Sequence, residues 1–155
     1  MKKLLLLLSL IIFACQSPTK ISEKEVMNSF NSFFEVLDND LDNFESMVTE
    51  DFFIFENSRR YSKDEFIEFV KTFDIVSSKR SYEDVVIDTD VNSAHISLKH
   101  FGEFIVNTPT GKTKLEFEWL ESTYVVKIDN KLKFKFYFSE AIKTNTTNLE
   151  SETTE

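Results

Sequence analysis

Apolar and polar positions along the chain change their period once, near its middle. Behind a Ser22–Glu25 capping-box pattern, Val26, Phe30, Phe33, Phe34 and Leu37 recur at helical spacing, which predicts an amphipathic helix to about Asp38. A shorter helical piece, Leu41 to Val48, presents Leu41, Phe44 and Val48, and a short strand, Phe52 to Phe55, follows before Asn57-Ser58 turns the chain. A second capping-box pattern, Ser62 with Glu65, opens a helix in which Phe66, Phe69, Val70 and Phe73 fall at i, i+3, i+4 and i+7. From Ser81 onward the period becomes two. Strands are predicted over Tyr82–Thr89, Ala94–Val106, Lys114–Ile128 and Lys131–Ser139, joined as antiparallel hairpins at Asp90 and Asn92, at Pro109 and Gly111, and at Asp129-Asn130. In the last of them Leu132, Phe134, Phe136 and Phe138 are expected on one buried face, and Lys131, Lys133, Lys135 and Tyr137 on the wet one. Helices first and a meandering sheet second make this an α+β chain.

Two segments stand outside that pattern. Residues 1–14 begin with Lys2 and Lys3 and continue as an apolar run broken by Ser9, the layout of an export signal. At 1.5 Å per residue the run reaches roughly 16 Å, about half of a bilayer's ~30 Å hydrocarbon core, which is too short to span it. Ile12-Phe13-Ala14-Cys15 resembles the lipobox of bacterial lipoproteins, where a peptidase cuts before a cysteine already carrying a diacylglyceryl group. The resemblance implies a lipidated Cys15, its acyl chains (palmitate among them) serving as the anchor, and a tether over 15–20. An ordinary secretory signal with an incidental cysteine is the alternative. The absence of a second cysteine speaks against it, because an exported lone thiol is open to oxidation and mispairing. Gln16, not an acidic residue, follows Cys15, which by the lipoprotein sorting pattern implies the outer membrane, facing the periplasm. At the other end, residues 144–155 hold one large apolar residue, Leu149, and are expected to be a disordered tail. The folded domain is thus expected over 21–143.

Charge narrows the partners. The chain has 18 basic and 27 acidic residues; without Lys2 and Lys3 the balance is 16 against 27, a net charge of −11. That disfavours nucleic acid and offers no polybasic patch for lipid head groups. The two glycines, Gly102 and Gly111, exclude a glycine-rich phosphate loop, and no cofactor is implied. Two histidines and one acylated cysteine make no metal site. Sixteen phenylalanines after the signal provide apolar surface for one compact domain.

The element order, with the segments TEDFFIFE, YSKDEF and WLESTYVVKIDNKLKFKFYFS, resembles the nuclear transport factor 2-like superfamily, in particular its small SnoaL-like bacterial members. The likeness runs from Ile21 to Lys143 and includes the closing pattern of Trp119, Lys127, Asp129, Asn130 and Phe134 to Ser139. Where relatives often carry Trp after the hairpin turn, this chain has Leu132 and Phe134. The resemblance implies a strongly bent antiparallel sheet wrapped around the helices into a cone, with a pocket at its open end and dimerisation through the sheet. Such folds host isomerases, dehydratases, hydrolases, ligand binders and proteins without chemistry, so function rests on the site.

Alternation puts Ala94, Ile96, Leu98 and His100 on the face toward the helices and His95 on the other. His100 is the candidate general base, and Glu121, in phase with Leu115, Phe117 and Trp119, is placed to orient it. Tyr61 is expected at the same mouth. The competing reading makes His100 a hydrogen-bonded packing residue and Glu121 a rim residue. Neither the Tyr and two buried Asp of ketosteroid isomerases nor the Asp-Arg-Asp set of epoxide hydrolases can be placed, because the Asp residues fall in turns and on helix surfaces and Arg59, Arg60 and Arg80 near element ends. Arg59-Arg60 reads as a solvated loop pair or an anion contact. Three readings stay open: a binder of a small apolar or amphipathic ligand using Tyr61, His100, Phe117, Trp119 and Glu121; a dimerisation or partner-docking domain using Tyr124, Val126 and Tyr137 on the outer sheet face; and an enzyme using His100.

Overall fold

The computed structural model describes residues 19–149. The expected export signal and Cys15 lie outside the described residues, as does the end of the expected tail.

Ser22 accepts from the Glu25 amide and starts helix α1 (Glu23–Asn39), whose buried face is Val26, Phe30, Phe33 and Phe34. A single 3₁₀ turn (Leu41–Asn43) and helix α2 (Phe44–Met47) lead into strand β1 (Val48–Glu56). Asn57 and Ser58 both take positive φ, the two-residue turn geometry that matches strand twist, and return the chain as strand β2 (Arg59–Ser62). The sequence reading missed β2, because its four residues carry no apolar alternation. Ser62 and Glu65 then close a complete capping box on helix α3 (Lys63–Val70). Four long strands complete the chain: β3 (Ile75–Thr89), β4 (Ser93–Thr108), β5 (Gly111–Ile128) and β6 (Lys131–Leu149).

The sheet order is β2-β1-β6-β5-β4-β3. The hairpins β3–β4, β4–β5 and β5–β6 are antiparallel as expected, while β1 runs parallel to β6, so the sheet is mixed. Three helices against this six-stranded sheet make the α+β cone that the resemblance implies. Val26, Phe30, Phe33 and Phe44 meet Val125 and Phe134 in the core, and Ile21 is tied to the β3–β4 turn through its amide and the Asp90 carbonyl.

Three expectations change. First, β3 starts at Ile75 and not Tyr82, which puts Arg80 in mid-strand, paired opposite Gly102. Second, Val125 pairs with Phe134 but Tyr124 with Phe136, so Lys135 is the extra residue of a bulge. Beyond it the two faces of β6 exchange. Tyr137 is 2% exposed and faces inward, while Phe138 is 36% exposed and faces out, the reverse of strict alternation. Third, residues 144–149 continue β6, pairing with Lys112 to Phe117. The backbone ladder holds this segment, and threonine suits a strand, so no apolar burial is needed.

Candidate ligand cavity

Going along the sheet from the Asp129-Asn130 turn toward the Pro109-Thr110 turn, inward residues pass from packed core to cavity wall. On β4 Ala94, Ile96 and Leu98 are core, then His100, Phe104 and Val106 line a cavity; on β5 Val125 is core, then Glu121, Trp119, Phe117 and Leu115 line it. Helices α1 and α3 contribute Phe34, Leu37, Asp38, Phe66, Phe69 and Val70. The cavity measures about 180 Å³. Gly102 stands inward between two of these walls, and a Cβ there would lie 2.6 Å from the Trp119 ring and 2.7 Å from that of Phe104. Glycine is what lets the indole cross the β4 backbone.

The polar end of the cavity is a hydrogen-bonded chain. His100 is 1% and Glu121 6% exposed. Glu121 Oε2 accepts from His100 Nδ1 (3.0 Å) and from the Tyr137 hydroxyl (2.7 Å). That fixes the proton on Nδ1 and turns Nε2 toward Arg80 Nη1 at 3.5 Å, where the guanidinium N–H makes the ring nitrogen the acceptor. Arg80 in turn donates through Nη2 to Asp38 Oδ1 (2.6 Å) and through Nε to Oδ2 (3.0 Å), a two-pronged pair that Ser78 completes by donating to Oδ2 (2.7 Å). Phe34 and Phe104 cover the guanidinium at 4.4 and 4.8 Å from their ring centres. Burial raises Tyr82, beside His100, to about 12, and raises the Tyr137 hydroxyl well above its ordinary range, with Glu121 adding to it. Burial likewise pushes Glu56, at the end of β1, up to about 7; the neighbouring Ser139 hydroxyl opposes the shift and the charges of Glu121 and Glu140 reinforce it.

Of the residues singled out in the sequence, the structure brings together His100, Phe117, Trp119 and Glu121 and leaves Tyr61 out. Tyr61 is a core residue on β2 against Phe69, with Arg59 over its outer face at 4.5 Å, and it does not line the cavity. Arg59 pairs with Glu65 and Arg60 lies over Phe53, so neither is a bare anion contact. His95 faces away and bonds Ser122. Tyr137, expected outside, belongs to the site. Asp38, Arg80 and Glu56 were missed, although each continues an apolar face: Asp38 follows Phe30 and Phe34 at steps of four, Glu56 follows Phe52 and Ile54 at steps of two, and Arg80 precedes Tyr82. A charged residue in phase with a buried face was the available signal. Among the described residues no group of three or more His, Cys, Asp or Glu is arranged to hold a metal ion.

Chemically, the arrangement offers an apolar chamber with one hydrogen-bonding wall. His100 Nε2 is the basic nitrogen there, and it is engaged by Arg80.

No family model matches the chain, and no curated protein matches it. Solved structures do. A scytalone dehydratase candidate from Novosphingobium aromaticivorans aligns with a TM-score of 0.64 at 15% identity, over 83% of this chain and 89% of that one. A type 2 hexachlorocyclohexane dehydrochlorinase aligns at 0.66 and 7% identity over 81% and 88%. The association domain of CaMKII from C. elegans aligns at 0.61 and 9% identity over 76% and 94%. At such identities the shared property is the cone fold. Its known hosts include two enzyme-named proteins and an association domain.

Proposed function

We propose that this protein is a lipid-anchored protein of the cell envelope whose cone binds a small amphipathic molecule. The observation that carries the binding reading is the cavity itself: an apolar chamber of about 180 Å³ ending in the buried His100–Glu121–Tyr137 and Arg80–Asp38 groups. Convergent polar groups at one end of an apolar pocket are the usual form of a small-molecule site. Two of the structural neighbours carry enzyme names, which supports the reading, since an enzyme must bind its substrate. Native mass spectrometry of the protein purified from its own envelope tests it. A small adduct, lost in Trp119→Ala, is expected; an adduct-free spectrum in both proteins overturns it. The anchor is tested apart from the cavity. Cys15→Ala should yield an unprocessed or soluble product, and a variant that remains acylated and membrane-bound refutes the lipoprotein reading.

A second reading, self-association or partner docking through the sheet, has its own support. Phe53, Phe55, Phe136 and Phe138 lie together on the outer face, Phe53 and Phe136 at 5.2 Å between ring centres, with Phe55 39% exposed. An apolar cluster of this kind on a sheet is a common docking surface. The CaMKII association domain among the structural neighbours points the same way. Sedimentation of Phe55→Glu/Phe138→Glu beside the parent chain tests the self-association: a dimer converted to monomer supports it, and a monomeric parent removes it.

A further inference from the structure

The polar wall of the cavity carries unequal charge. Arg80 is its one cationic side chain, and it is already engaged: two of its N–H donors go to Asp38, a third points to His100, and Phe34 and Phe104 lie against the guanidinium. Two further carboxylates remain, Glu121 and Glu56. Their strand positions are linked through Ser139, which pairs with Glu56 across β1–β6 and with Glu121 across β5–β6, so the three form one row over adjacent strands. Neighbouring strands lie about 4.8 Å apart, which places the two acidic positions roughly 10 Å from each other with a hydroxyl between them. Both bonds to Glu121 arrive on Oε2, and no buried side-chain oxygen or nitrogen among the described residues lacks a partner, so Oε1 opens to the cavity. Arg59, opposite Glu56 in the β1–β2 pair, is turned to Glu65 and Tyr61. The elevated proton affinity of Glu56 agrees with a carboxylate that lacks a cation.

We propose that the cone is built for a protonated amine on a small apolar body, its ammonium seated between Glu121 Oε1 and Glu56 and its body against Trp119, Phe117 and Phe104. This rests on the ligand-binding reading above and adds the class of ligand. A carboxylate ligand would face Glu121 and Glu56 as like charges and would meet an Arg80 whose charge Asp38 already offsets. An ammonium donates charge-assisted hydrogen bonds to the two carboxylates and gains cation–π attraction from the aromatic wall. The size follows as well, since a dry apolar cavity of roughly 150 Å³ takes up benzene.

The test uses the full chain and three probes of one shape: benzylamine, benzyl alcohol and benzoate, titrated by calorimetry at pH 7.5. Benzylamine should bind about tenfold more tightly than the alcohol, with benzoate weakest, and Glu121→Gln should erase the difference between amine and alcohol. Glu56→Gln, at the rim, should lower the preference for amine over alcohol about threefold; it decides the matter if the Glu121 variant fails to fold. Alcohol or benzoate binding as tightly as the amine, or an amine preference untouched in Glu56→Gln, overturns the amine inference and leaves the binding reading standing. If none of the three probes binds, the binding reading falls, and the inference with it.

Discussion

The two ends of the cone use the same residue type to opposite effect. Toward the Asp129-Asn130 turn, Phe30, Phe33, Phe44 and Phe134 interlock, Phe33 and Phe134 at 4.4 Å between ring centres, and leave no room. Toward the Pro109-Thr110 turn, Phe104, Phe117, Phe69 and Phe73 stand around a void. The difference is made by the positions between them, where His100, Glu121 and Tyr137 on the strands and the Arg80–Asp38 pair between β3 and α1 interrupt the apolar run. Hydrogen-bonded groups cannot be overlaid by rings without losing partners, so packing stops there. Phenylalanine content by itself therefore does not tell a plugged cone from an open one; the location of the polar row does.

The largest test of that contrast is a matched pair of truncations. Phe134→Ala should cost about 3–5 kcal/mol in urea unfolding, the range for a buried aromatic lost from a close-packed core. Phe117→Ala, on the half-buried wall, should cost about 1 kcal/mol and instead alter probe binding. Equal losses would mean that the two ends are packed alike. Next comes the clamp between α1 and β3. Arg80→Met should destabilise by about 3 kcal/mol because it strands Asp38, whereas Arg80→Met with Asp38→Leu should recover most of that loss; a double variant as unstable as the single one would show that the pair does more than compensate charge.

A smaller effect is written in pH. Folded Glu56 keeps its proton up to about pH 7, against an unperturbed value of 4.5, so between those limits the folded state binds more protons than the unfolded one. Its contribution is full below about pH 4.5 and is lost as the pH rises through 7. On moving from pH 5 to pH 8 the parent should lose on the order of 2 kcal/mol that Glu56→Gln does not lose, the figure discounted for partial solvent contact. The groups facing Glu56 are Glu121, Glu140 and Ser139, with Arg59 turned away. Coincident pH profiles for the two proteins would place Glu56 in ordinary solvent. Smallest in stability is Gly102→Ala. The new methyl would press on the rims of Trp119 and Phe104, and the void beyond lets the indole yield. We expect a loss below about 1 kcal/mol with a clear drop in probe affinity; a loss of several kcal/mol would mean that Trp119 has nowhere to go.

Much of the scaffold was legible because it obeys one period at a time. The faces of β4 and β5 follow from alternation, and the α1 stripe, the Ser22 N-cap and the complete Ser62–Glu65 box from helical spacing, whereas the Glu25 carboxylate turns to Lys127 and leaves the first box half made. What escaped did so for identifiable reasons. Arg80 and Asp38 are 42 positions apart, and nothing local announces a pair that only the cone brings together. Residues 144–149 looked too polar to order, yet they are held by backbone bonds to β5, which composition does not count. Tyr137 was placed on the wrong side because alternation cannot reveal a bulge whose extra residue, Lys135, is itself a good outward residue.

That bulge has a wider meaning. The stretch Phe134 to Ser139 contains two possible interiors, one phase offering Phe136 and Phe138, the other Tyr137 and Ser139. If the irregularity sat beyond Ser139, with no letter of the sequence changed, the first set would turn inward and a greased stopper would replace the hydroxyls that anchor the cavity wall. Two proteins are encoded in this one strand, and the site of a single backbone defect chooses between them.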